Sequence, residues 1–288
     1  MNNNFPKSFP DQYQDKHPGI ESIMNPNPIF QMDGYNISSN RLKDKVAIIT
    51  GGDSGIGRAV SIAYAKEGAK VAIVYYDEKE DAKETKDIIE KAGGNCLLIE
   101  GDISKENFCC NAIKEVINSY GGIDILVNNA AVQYCRENIQ DIPSEQFVKT
   151  FNINVFGTFY MVKAALPYLK EGSSIINTTS VVAYHGHKKL IDYSSSKGAL
   201  TTLTRSLAIN LADKGIRVNA VAPGPIWTPL IVSSFKGTDV TEFGVNTPLG
   251  RAGQPVELSG AYVFLASKDA SYITGETIHV NGGEIING

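Results

Sequence analysis

A glycine-rich turn between an apolar run and a helical one constrains the fold more than any other stretch of this chain. Val46-Ala47-Ile48-Ile49 is short and rich in β-branched residues, as a strand buried on both faces should be. Thr50-Gly51-Gly52-Asp53-Ser54-Gly55-Ile56-Gly57 follows, and residues 56–67 then carry helical spacing up to Gly68. A strand feeding a helix through so tight a turn opens a βαβ unit and commits the chain to parallel pairing. Glycines at 51, 55 and 57 allow close backbone approach. The helix beginning near Gly55 offers unsatisfied N–H groups and a positive dipole end, a setting for the pyrophosphate of a dinucleotide. The spacing is T-G-x-x-x-G-x-G and not G-x-G-x-x-G.

The alternation continues to the end of the sequence. Further strands are predicted at 71–75, 96–100, 123–128, 174–179, 216–222 and 277–280. Between them the spacing predicts a charged amphipathic helix ending near Gly93-Gly94, and another over 105–120. A long helix is predicted from near Pro143 to about Lys170, loosened at its end by Pro167, with two more over 192–213 and 255–267. Seven strands alternating with helices argue for an α/β domain over residues 42–288, a parallel sheet covered on both faces and joined by right-handed crossovers.

Residues 1–41 differ. Five of the twelve prolines and seven asparagines fall within the first 40 residues, without sustained periodicity. Such a stretch cannot fold alone. It carries Ile20, Ile23, Met24, Ile29, Phe30 and Met32, more apolar anchors than a solvated tail needs, so the extension is expected to lie across the domain or a neighbouring subunit.

Charge and cysteine usage narrow the function classes. With 27 basic and 31 acidic residues the net charge is −4, which gives no footprint for nucleic acid. No run of 18 apolar residues exists to span a membrane, and the start lacks the apolar segment of a secretory signal. Cys96, Cys109, Cys110 and Cys135 form no C-x-x-C pair and are expected to be reduced thiols in the cytoplasm. His185-Gly186-His187 has no acidic partner nearby in sequence, so no metal site is expected there.

The chemistry concentrates around Tyr193-Ser194-Ser195-Ser196-Lys197, thirteen residues after Ser180. Tyr193 and Lys197 are i and i+4 and share a helix face. A free tyrosine titrates near 10 and is a poor base, whereas a nearby ammonium stabilises phenolate. Tyr193 can then exchange a proton with an alcohol or carbonyl oxygen that Ser180 orients. At the same carboxyl edge Asp102 can accept from an adenine amino group or cap the next helix, with Ile103 beside it, and Asn128-Asn129-Ala130-Ala131 ends the fourth strand. The second strand ends Tyr75-Tyr76-Asp77-Glu78, with no cation before Lys79, and Ser54 is uncharged. Two acids there would repel a 2′-phosphate, which leans the cofactor toward NAD(H) over NADP(H).

These residues resemble the short-chain dehydrogenase/reductase superfamily of the Tyr-x-x-x-Lys type, over residues 42–288. The matching motifs are residues 50–57, Asp102, residues 128–131, Asn154 in Asn154-Val155-Phe156-Gly157, Ser180, Tyr193, Lys197 and Pro223-Gly224-Pro225-Ile226-Trp227-Thr228. The resemblance implies a single Rossmann-type doubly wound sheet of order 3-2-1-4-5-6-7 and a Ser180–Tyr193–Lys197–Asn154 tetrad. Lys197 would also bond the nicotinamide ribose, and Asn154, preferred to Asn152, would hold a relay water. Pro223, Gly224, Ile226 and Thr228 would contact the nicotinamide end. Ala131 and Tyr75 depart from the family pattern, which usually has Gly at the first and, in NAD-preferring members, Asp at the second. The Pro/Asn-rich start and the ending Val280-Asn281-Gly282-Gly283-Glu284-Ile285-Ile286-Asn287-Gly288 resemble a bacterial glucose/ribitol-dehydrogenase-like or general-stress-protein subgroup. A homotetramer is implied, with helices near 145–170 and 192–213 at one dyad.

The expected reaction is hydride transfer between nicotinamide and a small aldehyde, ketone or secondary alcohol. Residues 229–248, with Leu230, Ile231, Phe235 and Phe243, read as a mobile lid over the substrate. Two alternatives stand beside it. One is a 3-oxoacyl-carrier-protein reductase, for which Lys188 and Lys189 would begin a docking patch. The other is a non-catalytic dinucleotide-binding sensor or scaffold.

Overall fold

In the computed structural model, which describes residues 5–35 and 37–284, the apolar runs become β1 (Val46–Thr50), β2 (Lys70–Tyr75), β3 (Asn95–Glu100), β4 (Ile125–Asn128), β5 (Ser174–Thr178), β6 (Arg217–Pro223) and β7 (Thr277–Val280). They form one sheet in the order β3-β2-β1-β4-β5-β6-β7, as expected, and every neighbouring pair is parallel. Burial on both faces explains the runs: Ala47 and Ile49 of β1 enter one apolar cluster, and Val46 and Ile48 enter the other. Residues 285–288 of the ending singled out in the sequence lie outside the described residues, as do 1–4.

Ten α-helices are described: α1 (Gly55–Lys66), α2 (Lys79–Lys91), α3 (Glu106–Tyr120), α4 (Ser144–Phe151), α5 (Thr158–Ala165), α6 (Val182–His185), α7 (Ile191–Leu211), α8 (Pro229–Val232), α9 (Thr238–Thr241) and α10 (Pro255–Ala266). Helices α1, α2 and α10 cover one face through Val60, Tyr64, Ile89 and Tyr262. On the other, α3, α5 and α7 pack through Ile113, Val116, Met161 and Leu211. The long helix expected from about 143 to 170 is a correction: a π-helical turn, Asn152–Gly157, separates α4 from α5, and Leu166–Tyr168 closes as a 3₁₀ turn around Pro167. The wider turn keeps both Asn154 and Gly157 buried, and a Cβ on Gly157 would come within 2.9 Å of Ile103.

The extension lies along its own chain, across the carboxyl edge of the sheet. Backbone bonds tie it down, from Gln14 N–H to the Val232 carbonyl (2.9 Å) and from Val256 N–H to the Ile29 carbonyl (3.0 Å). The Phe9 ring stacks on Trp227 at 3.7 Å, and the Trp227 indole N–H donates to the Pro26 carbonyl at 2.9 Å. Of the expected anchors Met24 is buried, Phe30 packs on the core and Ile23 is exposed; Phe5 and Phe9 are buried as well. Phe9 and Met24 share an apolar cluster with Tyr193, Trp227, Ile231, Val232, Phe235 and Val240. That cluster joins the extension to the segment 229–248, which is helical in part, as α8 and α9.

Candidate active site

The carboxyl ends of the strands open into a cavity of about 1030 Å³, at the upper end of the roughly 300–1,000 Å³ usual for ligand sites. The turn after β1 forms one wall, with Gly51, Asp53, Ser54, Gly55 and Ile56 facing it. Gly51 and Gly55 have φ of +62° and +51°, a backbone region open to glycine. A Cβ on Gly57 would lie 1.7 Å from the Gly51 carbonyl oxygen, so this residue lets the turn fold onto the helix start. Asn129 locks the same turn by donating to the carbonyls of Gly51 (3.0 Å) and Thr50 (3.3 Å).

Tyr75, Tyr76, Asp102, Ile103, Asn129, Ala130, Pro223, Gly224, Ile226 and Thr228 line the cavity together with Ser180, Tyr193 and Lys197. Ala131, which adds a methyl group to the wall, is also there. Asp102 accepts from Ser104 N–H at 2.8 Å, a turn bond that precedes α3, whose N-cap is Lys105; Asp102 does not cap the helix. The Thr179 hydroxyl, buried and without a protein partner, also belongs to the lining. Gly55 N–H at the helix start, expected to be unsatisfied, is taken by the Glu21 carboxylate. The tight glycine turn, the small residues on the opposite wall and the unpaired buried hydroxyl fit a dinucleotide.

Three candidates stand back from the lining. Gly57 acts from beneath the turn. Asp77 pairs with Lys16 of the extension at 3.3 Å. Asn154 is fully buried, and its side chain is committed: Oδ1 accepts from Val132 N–H (2.9 Å), and Nδ2 donates to the Val132 carbonyl (2.9 Å) and to Ser196 Oγ (3.0 Å). It clamps the loop after β4 onto α7.

Ser180, just past β5, and Tyr193, in the first turn of α7, face the same cavity, and the Ser180 hydroxyl is near enough to act on the Tyr193 phenol. Lys197 lies one turn on, its Nζ 5.5 Å from the Tyr193 ring centre and donating to the Thr178 carbonyl at 2.7 Å. Asp192 sets the helix start, accepting from Thr150 Oγ1 (2.7 Å) and Gln146 Nε2 (3.0 Å) while its other oxygen takes Tyr193 N–H (2.9 Å). Burial dominates both reactive groups. It pushes the Tyr193 phenol up to about 12, against the lowering effect of Ser180, and the Lys197 amine down to about 7. The sequence predicts a lysine charge beside Tyr193 and a lowered phenol; in the structure burial raises the phenol and also lowers the Lys197 amine that would supply that charge.

Several site residues were missed in the sequence. His17 and Pro18 of the extension line the cavity, next to Gln133 and Tyr134. The His17 ring sits 4.6 Å from that of Tyr134, and burial lowers its pKa to about 4, so it is neutral near pH 7. No local pattern marks His17; its partners lie more than a hundred residues away. Glu284 lies 3.5 Å from His185, an acidic neighbour that the local sequence around His185 does not reveal.

Comparison with known proteins agrees with this geometry. Residues 51–284 match the family model described as enoyl-(acyl carrier protein) reductase. General stress protein 39 of Bacillus subtilis is 56% identical over 98% of this chain and 99% of its own. The glucose and ribitol dehydrogenase of Daucus carota is 47% identical over 97% and 98% of the two chains. A short-chain dehydrogenase from Burkholderia cenocepacia, solved in complex with NADP, superposes with a TM-score of 0.80 at 31% identity, covering 85% of this chain and 99% of that one. The chain belongs to the short-chain dehydrogenase/reductase family, oxidoreductases acting on C=O or CH–OH groups, and within it to the subgroup like glucose/ribitol dehydrogenase and general stress protein 39.

Proposed function

We propose that the protein transfers hydride between a nicotinamide dinucleotide, NAD(H) or NADP(H), and a small aldehyde, ketone or secondary alcohol, with Tyr193 as general acid/base. The observation that carries this reading is the convergence of Ser180, Tyr193 and Lys197 on the cavity that the glycine turn opens, with Lys197 Nζ 5.5 Å from the Tyr193 ring centre. The bound dinucleotide supplies or accepts the hydride. Ser180 orients the substrate oxygen, and Tyr193 gives that oxygen a proton during reduction or takes it during oxidation. Lys197 holds the helix turn and the Thr178 carbonyl in register and stabilises negative charge on Tyr193 when protonated. Asn154 contributes through its clamp on Val132, so any water held here would be bound by backbone.

A phenol pushed up to about 12 stays protonated at neutral pH, the form that donates a proton in reduction. Reduction is therefore favoured near neutrality, and oxidation is expected to speed up as pH rises toward that value. The small-molecule reading is favoured over a carrier-bound substrate because Lys189 of the suggested docking patch is spent on Glu137 (2.9 Å) and Asp239 (3.0 Å).

The family resemblance also implies a homotetramer. Phe147, Phe156, Phe159 and Ile209 lie exposed on α4, the π turn, α5 and α7, which supports an interface there. No helix among the described residues is long and apolar enough to cross a membrane, and the four free cysteines are consistent with a cytoplasmic location.

The deciding experiment is turnover of small aldehydes by purified protein with NADPH and NADH. Tyr193→Phe is expected to keep nucleotide binding and lose at least about 10²-fold in kcat. Equal turnover in that variant would sink the mechanism and favour a scaffold.

A further inference from the structure

The end of β2 is where a parallel sheet of this type meets the adenosine ribose. In sequence it shows two acids, Asp77 and Glu78, and no cation nearer than Lys79. The structure changes that electrostatic picture. Lys16, carried over from the extension, places its Nζ 3.3 Å from Asp77 Oδ1 and 3.5 Å from Glu78 Oε1. Its side chain remains 38% exposed, so its charge is neither buried nor fully spent on the two acids.

The other cations nearby are committed elsewhere. Arg58 is buried and bonded to Glu21 (2.9 Å), Glu84 (2.8 Å) and Asp81 (3.4 Å). Lys79 turns to Glu100 at 3.2 Å. Lys105 lines the cavity, but it enters beside Asp102 from the loop after β3. The next two residues of the extension, His17 and Pro18, line the cavity that Tyr76 and Glu78 also line, which fixes Lys16 at its rim.

We propose that Lys16 of the N-terminal extension is a cofactor-specificity residue, the cation that admits a 2′-phosphate at the end of β2 and so lets the site take an NADP-type dinucleotide. This rests on the dinucleotide reading given above. Chemically, an ammonium held beside one carboxylate and one protonated acid can turn to an incoming phosphate, which brings more charge and more acceptor oxygens than Asp77. Burial, with the hydrogen bond to Asp77, raises the Glu78 carboxyl to about 8, so near pH 7 the cluster holds one anion and one cation where the sequence suggests two anions. A specificity residue delivered by a segment outside the α/β domain lies beyond any motif confined to that domain.

The test is nicotinamide fluorescence titration of the full-length protein with NADPH and with NADH, at low and moderate salt. Lys16→Gln is expected to weaken NADPH about tenfold and leave NADH within about twofold, with the NADPH loss larger at low salt. Lys16→Arg, which keeps the charge, is expected to retain the ratio. Asp77→Asn leaves Lys16 in place without its competitor and should tighten NADPH severalfold with no tightening of NADH. Emission of the sole tryptophan, Trp227, stacked on Phe9, reports that the extension stays docked in each variant. Parallel shifts for both nucleotides, an unchanged NADPH affinity in Lys16→Gln or in Asp77→Asn, or loss of the ratio in Lys105→Gln instead would each overturn the proposal. Failure of the unsubstituted protein to bind either nucleotide would overturn the dinucleotide reading, and this one with it.

Discussion

At the residue scale, the site is built from side chains whose burial works against their own charge. Lys197 is the plainest case, because desolvation alone carries its amine from 10.5 to about 7. Between those two values the unfolded chain holds a proton that the folded chain does not, so stability contributed at this position rises with pH across that window. The cost of keeping Lys197 is therefore full at and below pH 7 and fades toward 10.5. Lys197→Met is expected to abolish turnover yet raise stability at pH 7 by roughly 1–3 kcal/mol, allowing for the lost bond to the Thr178 carbonyl. Urea unfolding at pH 7 and at pH 10 checks it: the advantage should shrink at the higher pH. A variant less stable than the parent at pH 7 would mean that the Thr178 bond outweighs the desolvation. Asn154 teaches a related lesson. Its motif was legible, but a role through its side chain was not, since that depended on Val132 and Ser196 coming into reach.

At the element scale, the extension behaves as a strap over the carboxyl edge. It holds the segment 229–248 from outside, through Gln14 on Val232, Pro18 on Ser233 (2.7 Å) and Phe9 on Trp227. It also sends Glu21 to the start of α1, where the carboxylate accepts from Gly55 N–H and pairs with Arg58. Deleting residues 1–35 is expected to expose Trp227, now fully buried, and red-shift its emission. It should also lower stability by several kcal/mol, since it uncovers apolar area and leaves Arg58 without Glu21. A truncated chain with unchanged emission and unfolding midpoint would show that the strap does not hold in solution. The strands were legible in the sequence because burial on both faces writes itself as short β-branched runs, as in residues 46–49 and 71–75. The contacts of the strap were not, because proline-rich backbone without periodicity carries no record of partners such as Trp227, some two hundred residues away. The π turn was equally hidden: helical spacing continues through residues 152–157, and the wider turn, in which Asn154 and Gly157 are buried, leaves no mark in that spacing.

At the scale of the whole molecule, the distribution of exposed apolar groups is uneven. Ile209 on α7 is 81% exposed, and Phe156 and Phe159 are each 45% exposed on the neighbouring π turn and α5. Phe147 stacks on Phe151 at 5.0 Å while still 39% open to solvent. On α7, Leu200 and Leu211 are buried within the chain, and it is Ile209 that faces outward. The exposed aromatics on α4, the π turn and α5 and the isoleucine on α7 are apolar surface that a subunit contact would cover. Sedimentation of the full-length protein is expected to give a tetramer. The double variant Phe159→Glu, Ile209→Glu is expected to give dimers or monomers with native circular dichroism, because two buried charges without partners cost more than the contact returns. A parent that sediments as a monomer at all concentrations, or a double variant that still sediments as a tetramer, would place the contact elsewhere or nowhere. Because Phe156 adjoins Asn154 within the π turn that clamps the loop after β4, loss of assembly is also expected to lower kcat more than it changes nucleotide affinity. Kinetics and titration on the same dissociated variant separate the two.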